Sequence, residues 1–156
     1  MTRRTFWGAF LLGVGLGGFV DGILLHQILQ WHHMLSSTER WPVTTEHGLK
    51  VNTLADGLFH AAMWLVVFVG LALIRDRVPP RRVLYGLVLV GWGAFNIVEG
   101  IVDHELLGIH HVRSGADHRV YDWAFLGISA VLILAGWWLA RPRRRAPLTR
   151  DVPPPT

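Results

Sequence analysis

The sequence predicts an all-α integral membrane protein, a four-helix bundle built from two repeated transmembrane hairpins. Three observations point there. Hydrophobic residues make up 51% of the 156-residue chain, against 17% charged. The apolar residues gather into four runs of about 20, the length that crosses a ~30 Å hydrocarbon core at ~1.5 Å rise per residue. The polar residues that interrupt those runs recur in the same order in both halves of the chain.

The first run, Phe6–His26, follows Arg3 and Arg4. A basic start also suits a signal peptide, but no small-residue cleavage site follows and the run carries half of the repeated motif, so a retained helix is predicted. The second run is Leu54–Ile74, the third Val83–Val102 and the fourth Val120–Ala140. Inside lipid the backbone must satisfy its own hydrogen bonds, so each run is read as a helix. Pro79-Pro80 mark the turn between hairpins, and the Pro-rich end reads as a disordered tail over 146–156. The domain is therefore placed at 1–145, with repeat one over 6–75 and repeat two over 83–141.

Orientation follows from the basic residues. Of 15 Lys and Arg, 11 fall in three places: Arg3-Arg4, the RDRVPPRR segment at 75–82, and the stretch from Arg141 to Arg150. By the positive-inside rule both termini and the 75–82 loop are cytoplasmic. A pI near 10.6 then reports topology and contact with anionic lipid, and nucleic acid is excluded as a partner class. There are no cysteines, so disulfides and thiolate ligands are excluded as well. All nine histidines lie in the outward half of this topology, with every acid except Asp76 and Asp151.

Residues 18–33 read GFVDGILLHQILQWHH and residues 96–111 read NIVEGIVDHELLGIHH. An offset of 78 maps Asp21 onto Glu99, His26 onto His104 and His32-His33 onto His110-His111. The second and fourth helices match at an offset of 66, Asp56 with Asp122 and Phe59 with Phe125, leaving a 12-residue loop insertion in the first copy. Two such copies should pack about a pseudo-twofold axis along the membrane normal.

At 3.6 residues per turn, continuous helices put His26 and His33 on one ridge with Gly22 and Gln30, and Asp21 and His32 on another. The third helix repeats this with His104 and His111 on one ridge and Asn96, Glu99, Asp103 and His110 on the other. Asp56 and His60, four residues apart, share a face of the second helix; His118 and Asp122 share one on the fourth. Asp21 lies ~22 Å along the first helix and His26 ~30 Å, near the outer rim. An ionised carboxylate at such depth costs at least ~2.5 kcal/mol and needs a proton, a cation or a donor.

Imidazole and carboxylate without thiolate suit iron, copper(II), zinc or manganese. The expected centre is a di-metal site in the outer half of the bundle. His26, His33, His60, His104 and His111 are its first ligand candidates, and Asp56, Asp21, Glu99, Asp103 and Asp122 would ligate, bridge or orient; His32 and His110 are weighed between ligand and headgroup contact. Open coordination positions would make the protein a membrane oxidoreductase acting on a lipid-soluble substrate. Rival readings are a metal-handling or oxidase-assembly protein, a b-type cytochrome with haem between His26 and His104, and a proton-relay subunit of a larger membrane complex. A homo-oligomer is the other assembly open to it. The bland alternative makes the acids hydrogen-bonded glue between helices. The glycines at 13, 15 and 18 spell G-x-G-x-x-G inside an apolar run; close helix approach through Gly13-x3-Gly17 and Gly18-x3-Gly22 explains them without a nucleotide loop.

The segments DGILLHQILQWHH, LADGLFHA and EGIVDHELLGIHH resemble a family of small four-span bacterial membrane proteins catalogued as a domain of unknown function. The likeness covers nearly the whole chain. It implies the four-helix membrane fold and a bacterial inner membrane, and implies no activity.

Overall fold

The computed structural model describes residues 1–115 and 117–142; the tail expected over 146–156 lies outside them. Four helices carry the chain: α1 (Arg3–Val20), α2 (Glu46–Ile74), α3 (Arg81–Glu99) and α4 (His118–Ala140). Two π-helical segments extend them, π1 (Asp21–Ile28) from α1 and π2 (Gly100–Leu106) from α3. Each of the four continuous helices is long and apolar enough to cross a membrane. Among the described residues there is no strand. The predicted spans hold, each starting a few residues earlier, most of all α2, which begins at Glu46 where the Thr45 hydroxyl accepts the Gly48 amide as an N-cap.

Contacts run α2–α1, α1–α3 and α3–α4, so α1 and α3 form a central pair with α2 and α4 flanking it. Glycine makes these approaches close. A side chain on Gly13 would collide with the Val88 carbonyl, and one on Gly91 with the Phe10 carbonyl. The contact is thus made twice, in opposite directions, across the α1–α3 crossing. Within the hairpins, a Cβ on Gly8 would come 3.0 Å from the Gly70 oxygen, and one on Gly86 2.6 Å from the Gly136 oxygen. Small residues that let backbones approach are the usual device where lipid removes the hydrophobic drive for association.

Regular helix stops at Ile28 and Leu106, short of the histidine pairs that continuous helices would have carried. The Leu29 and Leu107 amides donate to Leu24 and Val102, five residues back; those of Trp31 and Ile109 reach six back, to Leu25 and Asp103. Gln30 and Gly108 then take positive φ, 50° and 57°, the left-handed turn that commonly ends a helix. His32, His33, His110 and His111 are therefore loop residues, and they share no helical ridge with His26 or His104.

Candidate metal centre

The interior is polar. The largest fully buried side chains are His26, His32, His110, Asn52, Asp56, Asp122 and Ser129. Apolar side chains such as Leu54, Leu58, Phe68, Val131 and Leu134 are exposed instead, as on a lipid-facing surface. Burying several carboxylates and imidazoles together is costly unless they satisfy one another or hold a cation.

The π turns begin the pairing. Asp21 and His26 are five residues apart, as are Glu99 and His104. On an α-helix such pairs point about 140° apart. The looser π winding brings them to one side: His26 Nε2 lies 3.2 Å from Asp21 Oδ2, and His104 Nε2 lies 2.9 Å from Glu99 Oε1. π segments inside α-helices recur at functional sites.

A carboxylate from the flanking helix orients each imidazole from behind. Asp56 accepts from His26 Nδ1 at 2.9 Å, His33 Nδ1 at 2.6 Å and the Met34 amide at 2.9 Å. Asp122 does the same for its own loop, accepting from His111 Nδ1 at 2.9 Å and the Val112 amide at 3.0 Å, with His104 Nδ1 at 3.3 Å. Phe59 and Phe125 lie against His26 and His104, ring centres 6.0 and 5.7 Å apart.

The two loops then cross. His32 Nδ1 donates to the Val112 carbonyl at 2.9 Å, and His110 Nδ1 to the Met34 carbonyl at 3.1 Å. A carbonyl only accepts, so each Nδ1 carries the hydrogen and each Nε2 is left with its lone pair. Burial pushes the His32 imidazole down to about 3, so it is neutral at physiological pH. Its Nε2 has no hydrogen-bond partner, and neither does the Nε2 of His26, whose contact to Asp21 is off-line. One donor atom from each of His26, His32 and His110 lies within 4.8 Å of the others, and all three residues are buried.

A second trio, Glu99, His104 and His110, meets the same limit and shares His110. Glu99 Oε1 approaches His110 Nε2 to 2.8 Å as well as His104. With His110 Nδ1 donating elsewhere, a proton or a cation must lie between those two atoms. Asp21, one methylene shorter, makes no such contact to His32. That difference leaves His32 Nε2 free.

Of the residues singled out from sequence, His26, His32, His104, His110, Asp21, Glu99, Asp56 and Asp122 meet in this cluster. His33 and His111 reach it through Asp56 and Asp122. His60 does not join them: its Nδ1 donates to the Asp56 backbone carbonyl at 2.7 Å, and its ring rests against Gly22. Asp103 is half-buried and lines a cavity of about 250 Å³ together with Asp21, Glu99, Phe59 and Phe95. His118, read from sequence as the face-mate of Asp122, stacks on His111 with ring centres 4.0 Å apart. Asn52 was missed: fully buried, it accepts from the Leu35 amide and donates to the Trp41 and Gly48 carbonyls, pinning the longer first loop. Only its position 66 residues before His118 could have pointed to it.

A family model described as "Predicted membrane protein (DUF2243)" matches residues 8–143. No curated protein and no solved structure matches significantly. The chain belongs to this family of membrane proteins.

Proposed function

We propose that this membrane protein of the DUF2243 family is a metalloprotein holding one transition-metal ion among His26, His32 and His110. The observation that carries the reading is the crossed pair of loops. Each hairpin spends a backbone carbonyl to fix the other's histidine. The Nε2 atoms of His26 and His32 are left buried without a hydrogen-bond partner, beside a His110 Nε2 that meets only Glu99. An unpaired buried polar atom costs about 1–3 kcal/mol, and a cation would remove that cost at both atoms together.

The arrangement favours one buried ion over the two expected from the duplicated motif. Both trios rely on His110 Nε2, and a single lone pair serves one ion at a time. An ion at ~2.0–2.1 Å from each nitrogen would hold the three donors about 3.4 Å apart, and they already lie within 4.8 Å of one another. Asp21 and Glu99 would supply compensating negative charge, while Asp56 orients His26, as carboxylates behind metal-bound imidazoles commonly do. Iron, copper(II) and zinc all suit such donors.

A haem between His26 and His104 is less well supported. The rings of His32 and His110 lie 4.3 and 4.9 Å from those of His26 and His104 and fill the interval a porphyrin would need. By the positive-inside argument the centre faces outward, close to the rim. The reading is tested by elemental analysis of detergent-purified protein. Wild type should carry metal, and His32→Ala/His110→Ala should lose the buried equivalent while remaining helical. Full metal content in that variant would overturn it.

A further inference from the structure

We propose that the second hairpin carries a separate cation site at the rim, formed by His111 and His118 with Asp122 behind them. It is independent of the buried trio, sharing no ligand with it. Donor atoms of His111, His118 and Asp122 lie within 4.8 Å of one another, the two histidines half-buried and the aspartate buried. The imidazoles stack at 4.0 Å and 27°.

Tautomers again decide what the side chains offer. His111 Nδ1 donates to Asp122 Oδ2 at 2.9 Å, and His118 Nδ1 donates to the Gly115 carbonyl at 3.1 Å. Both Nε2 atoms are thereby left as lone-pair donors on adjacent rings. Asp122 orients His111 as a carboxylate behind a metal-bound imidazole does. His118 also borders a surface pocket of about 170 Å³ whose lining holds both Asp117 and Arg113, an open approach whose two charges offset each other. Two imidazoles beside a carboxylate suit zinc, copper(II) or nickel.

The first hairpin supplies the internal comparison. It has the equivalent His33–Asp56 pair at 2.6 Å, but Asn52 stands where the second hairpin has His118. Both N–H donors of Asn52 go to the Trp41 and Gly48 carbonyls, and its oxygen accepts from the Leu35 amide. One hairpin uses the position to clamp a loop; the other places an imidazole on the surface with a free nitrogen.

The test is zinc binding to the purified full-length chain, with stoichiometry from elemental analysis after gel filtration and affinity from chelator competition. Three proteins are compared: wild type, His118→Asn, and His32→Ala/His110→Ala. His118→Asn installs the residue the first hairpin already accommodates, and His111→Gln provides a second variant should it misfold. We expect His118→Asn to lose one zinc equivalent with its circular dichroism unchanged, and the double variant to keep that equivalent. Wild-type stoichiometry and affinity in His118→Asn and His111→Gln would overturn the proposal. A single wild-type equivalent that His118→Asn abolishes and the double variant retains would support the rim site and refute the buried one; a single equivalent that the double variant abolishes and His118→Asn retains would refute the rim site alone.

Discussion

The imidazoles of His32 and His110 lie face to face, ring centres 4.7 Å apart and planes 5° from parallel. They come from loops 78 residues apart in sequence, and each is tied by Nδ1 to the other loop's backbone. Neither ring can move without disturbing the opposite hairpin, so the pair couples the integrity of the centre to the docking of the two hairpins.

Histidine substitutions should therefore divide sharply. His32→Ala or His110→Ala is expected to weaken binding at the buried centre at least ~100-fold. His60→Ala should change it less than ~3-fold, because that imidazole lies outside the group formed by His26, His32 and His110. Chelator competition reads both. Equal losses in all three variants would contradict the assignment.

The two central acids should not be interchangeable. Glu99 reaches both His104 and His110, and shortening it by a methylene in Glu99→Asp withdraws the second contact. A loss of about 10–100-fold in metal affinity is expected, the range for groups that orient ligands. Unchanged affinity would show that this contact does not support the centre.

Acid should destabilise the metal-free protein through His32. Its folded value is about 3, below the ordinary ~6.5 of an unfolded histidine. Above pH ~6.5 neither state binds the proton; between there and about 3 only the unfolded state does, so stability falls as pH falls, by up to ~1.4 kcal/mol per unit. Thermal unfolding between pH 7.5 and 5 should drop more steeply for wild type than for His32→Gln, which cannot titrate there. Parallel slopes would contradict the burial argument.

Filling the α1–α3 crossing should loosen the whole centre. Valine in Gly91→Val meets the Phe10 backbone, which cannot step aside as a flexible side chain would. A loss of about 1–3 kcal/mol is expected from such overpacking, visible as a lower Tm in detergent, with weaker metal binding in parallel. A variant as stable as wild type would show that the two helices do not need their close approach.

Much of this was legible in sequence. Apolar runs gave the four spans, because lipid leaves a chain of that composition only the helix, and the acid-Gly-His-His-His spacing marked the polar cluster. What periodicity missed was the change of winding. It set Asp21 and His26 on separate ridges, whereas the π turn stacks them at 3.2 Å. It also carried His32 and His110 on helices that have already ended, and so weighed headgroup contact for two rings that are 1% exposed. Spacing set His33 and His60 beside His26 and Asp56; in the fold His33 Nδ1 is bound to Asp56 and His60 Nδ1 to a backbone carbonyl, and neither stands in the His26–His32–His110 group. Those outcomes depend on where a neighbouring loop folds back, and single-helix geometry contains nothing about it.

The most direct test of the central claim is X-ray absorption at the zinc edge of the loaded His118→Asn protein, in which the rim site is removed. The zinc is expected to be surrounded mainly by three imidazole nitrogens at about 2.0–2.1 Å. A shell made mainly of oxygen, or one unchanged when His32 and His110 are both replaced by alanine, would contradict it.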